Sequence, residues 1–339
     1  MREKTRIGCV ALLSGGLDSM LAAALMKEQG IKVFGVSFDI GFDPIPRKRR
    51  QWAHPALKAA DIVGIPVEIM DISEEYVSLL MNPPHGYGSA VNPCVDCHTE
   101  MVRRAKKYME SKGADFIVTG EVKGQRPMSQ RTTQLSVVEK ESGAGDILLR
   151  PLSAKLLEET LPEREGWVDR EKLYGISGRG RTDQIAMAEK MGIDEFPQPA
   201  GGCLLADESF AKRFLDMVDV KGKENVTIKD LRLLKAGRHF RLSPELKIIV
   251  GRDEDENEYL LELAGESMGI VEAVDYLGPV TVVDGSPDEN EMKLIMEIAA
   301  RYGKGRNESR ISIKYRKGDY EKVLDVAPMS AKGPERWII

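Results

Sequence analysis

A six-residue segment near the start of the chain, Ser14–Ser19, reads Ser-Gly-Gly-Leu-Asp-Ser and has the residue types of a phosphate-binding loop. Its two glycines let a ligand approach the backbone closely, and free N–H groups at the start of a following helix attract an anion. The hydroxyls of Ser14 and Ser19 can bind phosphate oxygens, and the Asp18 carboxylate can hold Mg²⁺ beside a pyrophosphate. The lysine of a Walker loop is missing. The alternative interpretation is an ordinary glycine-rich turn between a strand and a helix.

Three of the four cysteines offer a second kind of chemistry. Cys94 and Cys97 are separated by two residues, a spacing that lets both sulfurs reach one metal ion or each other. They stand just before a predicted helix, whose positive end is expected to lower the thiol pKa. Cys203 follows two glycines and is the third candidate, whereas Cys9 lies in a predicted strand and is expected to be an inert core residue.

Four interpretations of these three thiols remain open. A structural zinc site needs a fourth ligand, for which His98 is the candidate. A nucleophilic cysteine and a resolving cysteine can carry persulfide sulfur. A [4Fe–4S] cluster held by Cys94, Cys97 and Cys203 lacks the usual fourth thiolate, so its open iron can hold sulfide. The thiols can also be unrelated surface or core residues.

Basic residues are concentrated near the end of the chain. The segment Arg301–Lys317 contains seven Lys or Arg residues and one acid, with Tyr302 and Tyr315 between them. This pattern suits phosphate contacts combined with base stacking, and it suits a solvated charged face equally well. The candidate RNA-binding residues in it are Lys304, Arg306 and Arg310.

Two shorter basic segments lie near the predicted loops. Arg47–Arg50 is basic throughout and is either an RNA contact or the solvated start of a helix. In Ser177–Arg181, glycines separate Arg179 and Arg181 ahead of a predicted helix, an arrangement that favours holding an RNA phosphate or an adenylate.

Composition limits the class of protein. The chain has 339 residues, 42% of them hydrophobic, which is enough for two domains with real cores. The net charge of −5 provides no global basic field, so any RNA contact must be local. We expect no signal peptide and no membrane span, because no apolar run approaches the roughly 20 residues that a bilayer needs. The few cysteines favour a reducing, cytoplasmic location.

Strands and helices are predicted to alternate through the first part of the chain. The predicted strands are 7–13, 33–38, 67–70 and 116–119. The predicted helices between them include 20–26, 47–63 and 101–112. This order indicates an α/β fold with a doubly wound parallel sheet. Such sheets bind ligands at the carboxyl ends of their strands, where the phosphate loop, Ser37–Asp39 and Thr119–Glu121 are expected to meet.

A polar segment, 221–225, separates this region from one of different composition. Beyond it, short alternating runs and a late helix at 289–301 predict a smaller α+β domain. We therefore place one domain at 1–221 and a second at 222–339.

Ser14–Ser19 resembles the signature of the PP-loop ATP pyrophosphatases. Together with Asn92–Cys97 and Thr119–Glu121, it looks like the N-terminal domain of the tRNA 2-thiouridylases, over about residues 5–215. The resemblance implies a HUP-like Rossmannoid fold, cleavage of ATP between its α and β phosphates, and adenylation of a substrate oxygen. It implies an ATP site formed by Ser14, Gly15, Gly16, Asp18, Ser19, Ser37 and Gly120.

The same resemblance gives roles to the cysteines. Cys94 corresponds to the first catalytic cysteine and Cys203 is the natural counterpart of the second, with Asp18 completing the catalytic set. Because Cys97 is also present, the chain is similar to iron–sulfur tRNA thiolases, which hold a cluster with a C-x-x-C pair and one distant cysteine. The paired zinc-finger cysteines of some of those enzymes are missing here.

The C-terminal region resembles a different family. Arg238–Ser243, Ile249–Arg252 and Ala299–Ser309 look like the RNA-binding domain of the NFACT proteins, over most of 226–320. The combined expectation is a cytoplasmic ATP-dependent tRNA sulfurtransferase that uses ATP, Mg²⁺, a [4Fe–4S] cluster and a sulfide or persulfide donor. One alternative is an amide- or nitrile-forming PP-loop enzyme with structural zinc. Another is a non-catalytic RNA- or ribosome-binding protein with ATP as a ligand.

Overall fold

A computed structural model of the chain describes residues 7–42, 54–196 and 203–339. These residues form two compact units. The first unit contains the described residues up to 40 and from 54 to 203, and the second contains 41–42 and 204–339. No helix in these described ranges is long and apolar enough to cross a membrane.

The first unit is built on a parallel five-stranded sheet in the order β3-β2-β1-β4-β5. Its strands are β1 (Gly8–Leu12), β2 (Lys32–Asp39), β3 (Val67–Asp71), β4 (Phe116–Val118) and β5 (Leu148–Leu149). The order runs outward from β1 in both directions, which is the doubly wound arrangement. The predicted α/β fold class is therefore confirmed.

Helices cover both faces of this sheet. They are α1 (Leu17–Glu28), α2 (Pro55–Val63), α3 (Ser73–Met81), α4 (Cys94–Lys112), α5 (Thr132–Ser142), α6 (Leu161–Arg164) and α7 (Thr182–Lys190). Successive residues of β1 point to opposite faces, so Cys9 packs in the core that contains α1, α2 and α7. Val10 packs in the core that contains α4 and α5.

Several element boundaries differ from the prediction. Helix α4 begins at Cys94 rather than near residue 101. The buried polar residues Asp96 and Thr99 extend the helical spacing of Val102 and Ala105 towards the N-terminus, which an apolar pattern alone does not show. Pro55 starts α2 instead of interrupting a longer helix, as expected for a proline in a first helical turn. The basic segment Arg47–Arg50 lies outside the described residues.

The second unit contains an antiparallel six-stranded sheet in the order β11-β10-β8-β9-β7-β6. The strands are β6 (Arg238–Ser243), β7 (Leu246–Val250), β8 (Gly269–Ala273), β9 (Thr281–Asp284), β10 (Ile311–Lys317) and β11 (Tyr320–Val326). The helices are α8 (Glu208–Lys221), α9 (Ile228–Leu233), α10 (Glu254–Ala264) and α11 (Glu289–Tyr302). Ile295 of α11 and Leu260 of α10 belong to separate cores, as expected for helices on opposite faces.

The first unit ends at residue 203, whereas the sequence placed the boundary at 221. Helix α8 belongs with the second unit because its Asp216 lies among cations of that sheet. The Asp216 carboxylate accepts hydrogen bonds from Arg241 at 2.8 and 3.1 Å and from Lys247 at 3.1 Å. The polar segment after α8 is thus an internal turn of the second unit.

Candidate nucleotide and thiol site

The predicted phosphate loop lies between β1 and α1, at the N-terminus of the helix. Gly16 is the N-cap of α1, and Gly15 has a φ of +82° that favours glycine. A Cβ atom on Gly15 would also lie 2.6 Å from the Cβ of Pro55. The Ser19 hydroxyl donates to the Gly16 carbonyl at 2.8 Å, and the Ser14 hydroxyl accepts from the Gly16 N–H at 3.3 Å. The loop is therefore held by its own serines.

Gly120 packs directly against this loop. A Cβ atom there would lie 2.4 Å from the backbone nitrogen of Ser19 and 2.6 Å from the backbone carbonyl oxygen of Asp18. These distances are too short for any side chain at this position. The carboxyl ends of β1 and β4 thus meet. Ser37 is buried near the carboxyl end of β2, the other neighbour of β1.

Asp18 is held by a polar network that sequence patterns did not reveal. Its Oδ2 accepts a hydrogen bond from Gln125 Nε2 at 2.7 Å and lies 3.8 Å from Arg181 Nη2. Gln184 of α7 in turn donates to Gln125 Oε1 at 3.1 Å. Gln125 and Gln184 are 59 residues apart, so no local spacing marks them as partners.

Behind Gly120, Glu121 forms a buried charge network. Its carboxylate accepts hydrogen bonds from Arg150 Nε at 2.8 Å and Thr119 Oγ1 at 3.1 Å, and it lies 2.9 Å from His98 Nδ1. Burial alone would raise the pKa of Glu121, but Arg150 and His98 outweigh it and hold that pKa well below its ordinary value. The fully buried Arg150 also pairs with Glu139 of α5. This network fixes His98, the residue after Cys97, relative to the end of β4.

The three candidate thiols lie close enough to interact electrostatically. Burial of its sulfur raises the pKa of Cys97 to about 12, the Tyr76 hydroxyl opposes this, and Cys203 and Cys94 add to it. Cys203 and Cys94 also raise the pKa of Tyr76, after burial and Cys97. Cys94 and Cys203 thus lie within electrostatic range of Cys97, but the expected lowering of the thiol pKa is wrong for Cys97. Desolvation outweighs the helix end there.

Among the described residues, no group of three or more His, Cys, Asp or Glu side chains is arranged to hold a metal ion. The donor set of three neighbouring thiols still has the ligand chemistry that iron–sulfur clusters require. Cys9 is fully buried in β1, and burial raises its pKa, in agreement with the expected inert role.

An ion pair fixes the start of α4. The Asp96 carboxylate accepts from the backbone N–H of His85 at 3.0 Å and lies 2.7 Å from His85 Nδ1. The other ring nitrogen of His85 lies 3.3 Å from Glu141. The hydrogen bond with Asp96 raises the pKa of His85 above its ordinary value, against a smaller effect of burial. His85 thereby ties the loop before Cys94 to α4 and α5.

The predicted RNA-binding residues separate into two groups. Lys304, Arg306 and Arg310 are exposed in the second unit, although Arg310 also contacts the Asp325 carbonyl. In the first unit Arg179 is exposed, whereas the side chain of Arg181 is turned towards Asp18.

The two tyrosines expected to stack bases are not free to do so. Tyr315 is buried in the sheet core at 3% exposure. Tyr302 packs on Phe240, and the Arg238 guanidinium lies 5.0 Å from the centre of its ring. Alternation along β10 turns Tyr315 inward, which corrects the predicted stacking role.

Two segments of the chain match known protein families. Residues 7–161 match the tRNA methyl transferase HUP domain, and residues 237–338 match the NFACT protein RNA binding domain. Both matches confirm the resemblances seen in the sequence, to PP-loop tRNA-thiolation enzymes and to NFACT proteins.

Curated relatives match the first of these segments. The tRNA-specific 2-thiouridylase MnmA of Geobacter metallireducens is 31% identical over 138 residues, covering 35% of this chain and 36% of that protein. MnmA of Syntrophotalea carbinolica is 35% identical over 126 residues, with the same two coverages of 35% and 36%. The chain thus spans about a third of the length of these relatives.

Solved structures give weaker likenesses. A 4-thiouridine synthetase–RNA complex with bound ATP is 20% identical, with a TM-score of 0.34, over 55% of this chain and 51% of that chain. A predicted subunit of tRNA methyltransferase from Methanocaldococcus jannaschii is 15% identical, with a TM-score of 0.34, over 54% of this chain and 76% of that chain. These TM-scores are too low to transfer a fold or a function.

Proposed function

We propose that the chain is an ATP-dependent tRNA sulfurtransferase that replaces a uridine carbonyl oxygen with sulfur. The observation that carries this proposal is that Cys94 and Cys203 both act electrostatically on Cys97, in the unit that also contains the phosphate loop. An enzyme that exchanges oxygen for sulfur needs both components, since a carbonyl oxygen does not leave without activation. The relationship of residues 7–161 to tRNA 2-thiouridylases supports tRNA as the substrate.

The nucleotide would bind along the loop between β1 and α1. Gly15, Gly16 and Ser19 suit the pyrophosphate portion, because they lie at the N-terminus of a twelve-residue helix. Without ligand the Gly16 N–H donates to the Ser14 hydroxyl and the Ser19 N–H donates to the Gly16 carbonyl, so phosphate oxygens would replace these acceptors. Ser14 adds a hydroxyl, and Asp18 would face the Mg²⁺ that accompanies ATP. Ser37 and Gly120 flank the loop at the ends of β2 and β4, where the adenosine would lie.

Two displacements complete the reaction. The uridine carbonyl oxygen attacks the α-phosphorus of ATP, the bond to the β-phosphate breaks, and pyrophosphate leaves. The resulting O-adenylate makes that oxygen a good leaving group. A sulfur nucleophile then attacks the carbon, AMP departs with the oxygen, and a thiouridine remains. The loop amides would stabilise charge that develops on the phosphates.

Cys94, Cys97 and Cys203 would hold the sulfur, with Cys94 and Cys203 as the catalytic pair. If one cysteine carries a persulfide, its outer sulfur attacks the carbon. A second thiol then attacks the inner sulfur, the original sulfur–sulfur bond breaks, and the two cysteines are left as a disulfide. A [4Fe–4S] cluster bound by the three thiolates would instead supply an open iron for sulfide. The thiols suit either form by donor type, although among the described residues no group of three is arranged to hold a metal ion. The raised pKa of Cys97 means that ligation must displace its proton. A zinc ion held by the thiols is the third possible state of this site, and it belongs to the amide-forming alternative.

The partners follow from this chemistry. The tRNA would also contact exposed basic residues, namely Arg179, Lys304, Arg306 and Arg310. The related NFACT RNA binding domain supports an RNA role for residues 237–338. A sulfide or persulfide carrier must deliver sulfur, and a cytoplasmic location would supply both tRNA and donor.

The proposal is tested by incubating the anaerobically purified chain with tRNA, Mg-ATP and a sulfur source, in two parallel reactions. Sulfide can supply the cluster form, whereas a persulfide donor with a reducing thiol can load the persulfide form and reduce the disulfide. We expect thiouridine in hydrolysed tRNA, together with equal amounts of AMP and pyrophosphate. Cys94→Ala and Cys203→Ala should abolish thiouridine, whereas Cys9→Ala, the matched control in the β1 core, should retain it. Iron, zinc and labile sulfide counts distinguish the three forms of the thiol site.

Three outcomes would overturn the proposal. Normal thiouridine with Cys94→Ala would remove the thiols from the reaction. Pyrophosphate release that depends on a small carboxylate and not on tRNA would favour the amide-forming alternative, and ATP binding without any turnover would favour a binding protein.

A further inference from the structure

Three buried polar atoms near Asp18 have no hydrogen-bond partner among the described residues. They are Asp18 Oδ1, Arg181 Nε and Gln184 Oε1. Gln184 is completely buried, so its oxygen cannot be satisfied by bulk water. Buried polar groups are nearly always paired, and a cluster of unpaired ones therefore points to a missing ligand.

The position of Arg181 adds a second reason to expect an anion. Arg181 is the N-cap of α7, where the helix dipole disfavours a positive charge. Within the described part of the chain its compensating charge is Asp18, whose Oδ2 lies 3.8 Å from Arg181 Nη2. The Arg181 side chain is 19% exposed, which is too little for free solvation of a guanidinium.

A relay of amides holds this arrangement against the phosphate loop. Gln184 donates to Gln125, and Gln125 donates to Asp18, so α7 is tied to the first turn of α1. The backbone supports the tie, because the Gly178 N–H donates to the Lys123 carbonyl at 2.8 Å. Arg181 is therefore placed beside the loop where the proposed function puts the nucleotide phosphates.

We infer that Arg181 binds the phosphate chain of the nucleotide, with Gln125 and Gln184 as its positioning residues. This inference rests on the proposed function and assigns Arg181 to the nucleotide rather than to RNA. In the free protein Asp18 neutralises Arg181. When Mg-ATP binds, the metal ion takes over the Asp18 carboxylate and the guanidinium forms paired hydrogen bonds to phosphate oxygens. The two charges exchange partners, and neither is left buried alone.

Calorimetric titration of the full chain tests the inference, with Mg-ATP, Mg-pyrophosphate, adenosine and tRNA as separate ligands. Arg181→Gln removes the positive charge, and Arg181→Lys keeps the charge but lacks the paired N–H donors of the guanidinium. Gln184→Leu removes the hydrogen bond from Gln184 to Gln125. Lys190→Gln is the matched control, because it removes one exposed charge from the last turn of the same helix. Circular dichroism and thermal unfolding confirm that each variant is folded.

We expect Arg181→Gln to weaken Mg-ATP and Mg-pyrophosphate binding by roughly tenfold to a hundredfold, the range of one charged hydrogen-bonded contact. Arg181→Lys should recover part of the loss, and Gln184→Leu should lose less than Arg181→Gln. Adenosine and tRNA affinities should not change in any variant, and Lys190→Gln should match the wild type.

Two results would overturn the inference. Unchanged ATP affinity in a folded Arg181→Gln variant would overturn it. If the same variant lost tRNA affinity, Arg181 would be assigned to RNA binding instead. A wild type that binds neither ATP nor pyrophosphate would overturn this inference and the proposed function together. If ATP binding depends on Arg181 but the wild type forms no thiouridine in tRNA, the proposed function is wrong and the inference about Arg181 stands.

Discussion

Gly120 has no room for a side chain because a Cβ atom there would lie 2.4 Å from the backbone nitrogen of Ser19. The two residues come from the ends of adjacent parallel strands, β4 and β1. Backbone therefore packs on backbone directly beneath the phosphate loop. Ser19, a residue proposed to bind phosphate, is thus positioned by a residue more than 100 positions later in the chain.

Substituting Gly120→Ala should displace the loop. The added methyl group must push the Asp18–Ser19 peptide away, which costs about 1–3 kcal/mol of unfolding free energy by the usual cost of overpacking. We also expect Mg-ATP affinity to fall, because the displacement moves Asp18 and Ser19 away from the positions proposed to contact the nucleotide. Denaturant unfolding and calorimetry measure the two effects. Gly175→Ala is the control, since its new Cβ would lie no closer than 3.4 Å to a neighbour. Equal ATP affinity in both variants would contradict the packing argument.

Replacing Arg150→Met should destabilise the first unit strongly. The substitution leaves the Glu121 carboxylate buried with only His98 and Thr119 as partners among the described residues, and breaking such a pair costs about 3–5 kcal/mol. A second variant, Arg150→Met with Glu121→Gln, removes the unpaired charge and should recover part of that stability. Denaturant unfolding measures both. A double variant less stable than Arg150→Met alone would show that the charge pair is not the cause.

The same pair predicts a pH dependence. Its partners hold the pKa of Glu121 below the ordinary value of 4.5, so the stability it contributes is complete above that pH. The contribution is lost as pH falls through the lowered pKa of the folded state. The stability difference between wild type and Glu121→Gln should therefore be constant at neutral pH and shrink in acid. A difference that grows below pH 4.5 would have the wrong sign.

His85 should contribute stability in the opposite pH range. Its pKa is raised above 6.5 in the folded protein, so its contribution is complete below that pH and is lost as pH rises through the raised pKa. The melting-temperature difference between wild type and His85→Gln, scanned from about pH 5.5 to about pH 9, should decrease as pH rises. A constant difference across this range would show that packing, and not the charged ring, ties the loop to α4.

Sequence patterns predicted the parts of this molecule that depend on local chemistry. The buried strands are visible in the sequence as apolar runs. The loop after β1 is visible because paired glycines between a strand and a helix are typical of a phosphate-binding loop. The partners of Asp18 were missed because Gln125 and Gln184 come together only through the packing of α7. The pKa of Cys97 was predicted in the wrong direction for a related reason. A helix end is visible in a sequence, whereas the desolvation that outweighs it depends on distant elements.

The raised pKa of Cys97 predicts slow alkylation. At pH 8 a thiol with a pKa of about 12 is almost entirely protonated, and only the thiolate reacts. After chelator treatment, iodoacetamide should modify Cys97 far more slowly in the folded chain than in denaturant. Tyr76→Phe should slow the reaction further, because it removes the hydroxyl that favours the thiolate. Peptide mass spectrometry resolves each cysteine, and Tyr174→Phe is the control. Rapid modification of folded Cys97 at pH 8 would contradict this environment.

The exposed cations of the second unit should contribute to tRNA affinity through salt-dependent contacts. Lys304→Ala and Arg306→Ala each remove one charge from the loop between α11 and β10, and each lost phosphate contact lowers the salt slope by about 0.7–0.9. Filter binding of tRNA at several salt concentrations gives these slopes. The weakening should be similar for different tRNA sequences, because phosphate contacts carry no base information. Lys223→Ala, which removes a charge from the turn after α8, is the control. If all three variants show the wild-type slope, the loop does not contact RNA and the basic segment is a solvated face.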